Sequence, residues 1–568
     1  TPRERKYGKP NTISYGVKGS YEYDVENRWV KRTRANGRVY ERMMTCCGPL
    51  WEKDENGVTT SYSYNTARQL TETIRSAIAD GETMITPETI TSYTRDALGK
   101  ITSLRRDTGP MTTVESREYD LLGRLVKETD ILGRSTVRSY SGDGLVETVT
   151  TPAGATLITR KSPSGTVVRR YGTGQQDILY TVEATAEGIR TTEAVPGGEG
   201  GEPRVVTGSS TVNGFGDLVR IAATNTLNGE NVRTLAYDDK GRLIREQLAD
   251  MAPTLYAYDA FGNRTRAIVA LEDEPTILNS RITDYAYVAE SREDGIYRLV
   301  SITSYTSSGT PVLQKQAALL SALSSVLAGK TVMTDPRGHD TVEWTEYGGG
   351  SVRLQKKTVP GVGSVSLTRV VDGFTTAVTG FDGATARRQR TYMETGITYA
   401  DTDVRGNVFT AVCDIAGRII SGTDAAGNTT TYAYAQPFDL PTCVTNALGK
   451  TACSVYDIRG RKEAEWGTTI QPAVYAYDAA GHIVSLSTFR DPGDVITTDP
   501  RLRTDGDITT WTYDVATGLV VRKTYANATH VDTAYDALNR VSSTTDARGT
   551  VASRSYAPPY RGAYLHYL

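Results

Sequence analysis

The chain has 568 residues, with 64 Lys+Arg against 66 Asp+Glu and a formal net charge of −2. That balance argues against a nucleic-acid binder, which carries a basic surplus or stripe, and no acidic or basic tail stands out. Tyr is abundant at 34, Phe is only 7 and Gly reaches 54. Residues suited to pleated, half-wet surfaces and residues suited to turns dominate together, so a β-rich chain of many short strands is expected.

In chain order, "TPRERKYGKP" opens without Met and without an apolar signal core, and reads as the start of a fragment or processed piece. The vicinal pair in "MTCCGPLW", Cys46 and Cys47, reads as strand-to-turn packing. With Cys413, Cys443 and Cys453 the cysteines number five, an odd count with no CxxC, so neither a disulfide framework nor a zinc site is expected. No apolar run reaches the roughly 18 residues of a membrane span.

One phrase then recurs. Tyr-Asp occurs eight times, at Tyr23, Tyr119, Tyr237, Tyr258, Tyr456, Tyr477, Tyr513 and Tyr535. Asp or Asn followed three residues later by Gly is commoner still, starting at Asp54, Asp96, Asp120, Asp130, Asp238, Asp259, Asp335, Asp403, Asp414, Asp424, Asn446, Asp457, Asp478 and Asp546. Asp403 to Asp414 is 11 residues, Asp414 to Asp424 is 10, and Asp238 to Asp259 and Asp457 to Asp478 are each 21. The unit is therefore 10–11 residues, doubled into a larger repeat.

Each letter has a physical reading. In Y-x-Y both rings point to one face of a strand. Asp accepts hydrogen bonds from backbone N–H groups two residues on, which favours it at the first turn position. Gly in fourth place suits a type I turn that ends left-handed, the G1-bulge hairpin. Asn27 in "DVEN" and Asn539 in "DALN" replace that Gly, and Asn is the next most tolerant residue there. Strands of about six or seven residues remain between turns. Turns 10–11 residues apart are expected on opposite rims of a meander, and turns about 21 apart on the same rim.

The repeats are clearest at 20–140, 210–265 and 400–550, with β-like segments such as "GTVVRRY" and "GSVSLTRVV" between them. "VPGGEGGEP", Val195–Pro203, reads as a flexible loop. One segment in the less regular 265–400 insertion breaks the pattern. "PVLQKQAALLSALSSVLAG", Pro311–Gly329, predicts a helix over 312–328, with Val312, Leu319, Leu320, Leu323, Val326 and Leu327 on one stripe and Gly329 as its stop.

"YDLLGRLVKETDILGRSTVRSY", "YAYDAFGNRTR" and "YDALNRVSSTTDARG" resemble the YD repeats of bacterial RHS-repeat proteins, which also occur in the C component of insecticidal toxin complexes and in teneurins. The resemblance spans most of the chain, with gaps near 145–210 and 265–400. It implies an all-β antiparallel hairpin meander, wound as a spiral into a hollow shell that runs continuously over 1–568. It also implies a shell that encloses a toxic C-terminal polypeptide, released in several members by an aspartyl self-cleavage segment with a DPxG-like core. The stretch after Asp546, "ARGTVASRSYAPPYRGAYLHYL", lacks that core. "DPRGHD" at Asp335 fits the repeat turn, and no catalytic role is moved there.

His339 and His482 directly follow repeat glycines and read as strand-opening residues; His530 and His566 are the remaining two. No HExxH, GxSxG, phosphate loop or dinucleotide fingerprint is present. No catalytic, cofactor-binding or metal residue is therefore expected, and no cofactor. The leading expectation is a non-enzymatic shell or scaffold of a secreted or cell-surface bacterial protein. Its partner would be a polypeptide cargo or a secretion-apparatus protein, with no nucleic acid and no membrane span. The rival expectations are a carbohydrate-binding module, with Tyr256 and Tyr475 as outward positions, and an enzyme whose site lies within 265–400. The tyrosine rows themselves read as cross-strand ladders.

Overall fold

The computed structural model describes residues 20–556, apart from short stretches at 34–38, 55–56, 81–82, 197–204, 226–228, 250, 323–326, 348–351, 360–362, 370–375, 380–382, 436, 491–498 and 537–538. The chain start, most of the Val195–Pro203 loop and His566 lie outside the described residues. Among the described residues the regular structure is β, apart from one 3-10 turn at Pro500–Leu502. No helix is long and apolar enough to cross a membrane.

The chain forms two compact units. One comprises 1–116 and 256–427, the other 117–255 and 428–568. In the second unit each strand pairs antiparallel with the next, as in Thr451–Tyr456 with Lys462–Gly467 and Ala473–Tyr477 with Ile483–Thr488. Strands there are mostly five to eight residues long, as in Val146–Thr150 (5) and Ile178–Thr185 (8). Many are half-buried along their whole length, Leu125–Thr129 and Ile483–Thr488 among them. Neither face of such a strand is fully wet or fully dry, unlike the clean alternation of a sheet with one solvated face.

The first unit follows the same meander from Ser20–Tyr23 onward, with one small separate hairpin, Ile78–Asp80 with Thr83–Thr86. Its later part uses longer strands: Arg281–Arg292, Gly295–Tyr305 and Pro311–Ala322. Here the predicted helix is corrected. Pro311–Ala322 pairs along its whole length with Gly295–Tyr305, Leu327–Thr334 pairs onward with Asp340–Tyr347, and 323–326 lie outside the described residues. The reason is burial. As a strand, the segment places Ala317 in a dry cluster with Tyr297 and Val332, with Leu319 packed against it. A bulge between Ile296 and Tyr297 absorbs the register. Tertiary pairing has overridden the local helical preference of an Ala/Leu/Gln-rich run.

"GTVVRRY" and "GSVSLTRVV" do form strands, at Val167–Tyr171 and Gly363–Arg369. Cys443 and Cys453 stand directly opposite each other across a hairpin and form a disulfide that the cysteine count did not anticipate. Gly467 marks a different device from the turn glycines. Its φ is +141°, and a Cβ there would run into the carbonyl of Thr451, so only glycine lets the two backbones approach.

Candidate functional site: a tyrosine-laced rim

The turn at Asp457 shows how the repeat is built. The Gly460 N–H donates to the Asp457 carbonyl at 2.9 Å, and the Asp457 N–H to the Arg461 carbonyl at 2.9 Å. The Asp457 Oδ1 accepts from the N–H groups of Arg459 and Arg461, each at 2.9 Å. Gly460 sits at φ +80°, the left-handed end that the G1-bulge hairpin requires. Burial pushes the Asp457 carboxyl up. The backbone and side-chain hydrogen bonds from Arg461 outweigh it, and the group lies below its ordinary value.

Arg461 joins this turn to the next one on the same rim. Its Nε donates to Asp457 Oδ2 at 2.7 Å, and its guanidinium lies 4.4 Å over the ring of Tyr477. The Tyr477 hydroxyl donates to the carbonyl of Lys462, the residue after that arginine, at 2.7 Å. Asp, Gly, Arg and the following Tyr thus form one link, and the tyrosine stands directly before the Asp of the next turn. The link repeats at Asp120, Arg124 and Tyr140, whose hydroxyl reaches Leu125, and at Asp536, Arg540 and Tyr556, whose hydroxyl reaches Val541. His482 takes the arginine's place after Asp478. It contacts Asp478 Oδ2 at 3.0 Å and stacks on Tyr513, whose hydroxyl donates to Ile483.

Because successive strands run antiparallel, the turns after Tyr456, Tyr477, Tyr513 and Tyr535 share one rim of 428–556. The turns after Thr445 and Thr545 occupy the other rim. The same separation sets Tyr140 and Tyr237 against Thr129 and Thr150 in 117–255. The expected rim alternation therefore holds: one rim is laced through tyrosine hydroxyls, while on the other Arg134 and Arg548 pair with the Asp of their own turns.

The first tyrosine of Y-x-Y has its own partner. Tyr475 donates to Glu465 at 2.6 Å, ten residues back, and Tyr62 donates to Glu52 at 2.8 Å, also ten back. Burial and then these carboxylates push both phenols above their ordinary range. Tyr475 and Tyr256 are half-buried, not outward-facing, and Arg264 lies 4.7 Å over the Tyr256 ring. Each of the two side chains thus already has a partner within the sheet.

Asn27 and Asn539 take φ of +60° and +62°, as the Gly replacement requires. The structure adds turns that the Asp/Asn pattern missed. Ser141, Thr151, Ser162 and Thr306 head the same four-residue turn, with a glycine N–H donating back to each carbonyl. The hydroxyls of Ser141, Thr151 and Thr306 accept N–H groups as the Asp carboxylate does. Arg68 and Ala528 occupy the left-handed place in two others. Asp335 heads a turn like the rest, with His339 against its Oδ2. His530 opens the strand His530–Tyr535. Among the described residues no group of three or more His, Cys, Asp or Glu could hold a metal ion.

In 117–255 and 428–568 the lacing is joined by contacts between segments far apart in sequence. Arg134 holds Asp130 on its own turn and Asp439 at 2.7 Å, 305 residues on. Arg459 donates to the carbonyl of Thr173.

The RHS repeat family matches residues 119–156, the stretch that holds the Asp120 link and its successor. The chain thus carries the RHS/YD repeat. Its repeats build the β-sheet itself. Among solved structures the RHS/YD chain is similar to the Photorhabdus luminescens Tc holotoxin pore, at 10% identity and a TM-score of 0.49, covering 93% of this chain and 37% of that one. It is also similar to a crystal structure of TcdB2–TccC3, at 12% identity and a TM-score of 0.42, covering 93% and 31%. The chain spans about a third of the length of these solved chains. No curated protein matches it.

Proposed function

We propose that the chain is a wall segment of a secreted toxin-type RHS protein, and that it encloses or presents a polypeptide cargo without turning over a substrate. The observation that carries this reading is the laced rim. Asp–Arg–Tyr links from 457 to 556 make a sheet edge out of interlocked side chains. A wall needs stiffness along its edge and backbone groups satisfied throughout, and this arrangement supplies both. The two solved toxin complexes contain TccC3, and carrying that context over gives the cargo its class. The continuous domain over 1–568 and the spiral path of the sheet belong to the same proposal.

The test is electron microscopy and protease protection of the full-length parent protein. The expected result is density inside a curved wall, and a cargo segment that resists protease until the wall is denatured. An open sheet with no enclosed density, and a cargo cleaved at the rate of an unfolded chain, would overturn the reading.

A further inference from the structure

The turn Thr45–Gly48 departs from the repeat. In place of a carboxylate it carries two adjacent thiols, Cys46 exposed and Cys47 half-buried. Their Sγ atoms are 3.0 Å apart, inside the separation of about 3.5–4.0 Å at which carbon atoms in contact rest. A disulfide bond needs about 2.0 Å, so closure asks for a shift of only about 1 Å.

The turn beneath them is held from several sides. The Thr45 N–H and hydroxyl both donate to the Gly48 carbonyl, at 2.7 and 2.8 Å. The Cys47 N–H donates to the Thr45 hydroxyl at 3.2 Å. Arg28 donates from Nη1 to the Thr45 carbonyl at 2.9 Å, and Tyr64 donates to Pro49 at 3.0 Å. The Cys46 thiol beside it, and then burial, push the Cys47 thiol above its ordinary value, against a smaller opposing pull from Arg68. The thiolate is the attacking species in exchange. The remaining described cysteines offer nothing comparable. Cys413 is buried, and Cys443 and Cys453 are already joined.

We infer that Cys46 and Cys47 form a redox modification site, closed to a vicinal disulfide by exchange with a small-molecule disulfide. The Cys46 thiolate attacks one sulfur of the small disulfide R–S–S–R and releases one R–S⁻. Cys47 then loses its proton to solvent, attacks the Cys46 Sγ of the mixed disulfide and releases the second R–S⁻. Two protein thiols are oxidised, and one small disulfide is reduced to two thiols. Adjacent Cα atoms lie about 3.8 Å apart, below the usual disulfide range, so the ring is strained and readily reduced. That lability suits a reversible modification, whereas the cross-strand pair Cys443–Cys453 serves the hairpin.

The experiment treats the native full chain with glutathione disulfide at mildly alkaline pH, blocks free thiols and maps the peptides by mass. The expected result is a 46–47 peptide that has lost two hydrogens, carries no glutathione and accepts no blocking agent. Cys46→Ser and Cys47→Ser should each retain glutathione on the surviving thiol. Phenylarsine oxide, whose arsenic takes two thiolates, should bind the reduced wild type once and neither variant. The inference fails if the wild type accumulates the same mixed disulfide as the variants. It fails equally if both thiols remain blockable after treatment, or if a single-serine variant binds the arsenical as tightly as wild type.

Discussion

Residues 428–556 and residues 281–347 solve the same problem in opposite ways. The first stretch uses short strands, such as Thr451–Tyr456 and Ala473–Tyr477, and places its specific chemistry in the turns. The second opens with strands of 12, 11 and 12 residues and packs a dry cluster against them. Tyr297 is fully buried there against Ala317 and Val332, and its hydroxyl donates to Asp294 at 2.7 Å. Lys330 donates to the same Asp294 oxygen at 2.6 Å. Where the repeat code fades, the sheet does not; strand length and a small dry cluster replace the turn links. Short strands gain little from pairing alone, which is why the repeats need their rims.

The sharpest way to break this contrast is Tyr297→Ala. It should cost about 3–5 kcal/mol, as large aromatic-to-alanine changes in dry sites do. Hydrogen exchange should accelerate along Gly295–Tyr305 and Pro311–Ala322, with 428–556 left at its wild-type rate. Unchanged exchange in those two strands would show that the cluster does not hold them.

The difference between the stretches also explains what could be read from the sequence. The acid-to-glycine tetrad was legible because turn chemistry is local: one residue supplies the acceptor and another the left-handed φ. Asn27 and Asn539 followed from the same rule. The turns at Ser141, Thr151 and Ser162 were legible in principle, since a hydroxyl can replace the carboxylate, and admitting Ser and Thr would have carried the repeat on to Gly165. The arginine was missed despite a plain signal: Gly–Arg stands at 123–124, 133–134, 241–242, 417–418 and 460–461. Its role needs a ring 16 residues ahead, as from Arg461 to Tyr477, and no local rule supplies that. The Cys443–Cys453 pair is a matter of register. Thr445 and Thr451 flank the Asn446 turn, and stepping outward by two on each side reaches the two sulfurs. The helix over 312–328 failed because its apolar spacing fits either period until the partner strand is known.

A smaller effect tests the rim. Tyr477→Phe keeps the ring under Arg461 and removes only the donor to the Lys462 carbonyl. The expected loss is about 0.5–1.5 kcal/mol, that of one hydrogen bond. It should appear as faster exchange in Lys462–Gly467 and Ile483–Thr488, with the 281–347 strands unaffected. If both rim strands keep their wild-type rates, the hydroxyl lace contributes nothing to the edge.

The smallest effect separates the charge of the link from its geometry. Asn446 shows that an amide can head the turn: its Oδ1 accepts from Leu448 at 3.0 Å and from Lys450 at 2.9 Å. Asp457→Asn should therefore keep the hairpin and lose only the ion pair with Arg461, a pair whose side chains are 12% and 26% exposed. Such a pair is worth about 0.2–1 kcal/mol, and salt should shrink the difference further. The sign with pH follows from the lowered Asp457 pKa. Its stabilisation is fully present above the unfolded carboxylate value of about 4, and is lost as pH falls through the folded value, where the native carboxyl takes up its proton. Denaturant midpoints of the two proteins should thus differ at neutral pH and converge in acid. A gap that stays constant down to the acid limit would place the Asp457 contribution in turn shape and leave none for the charge that ties one turn to the next.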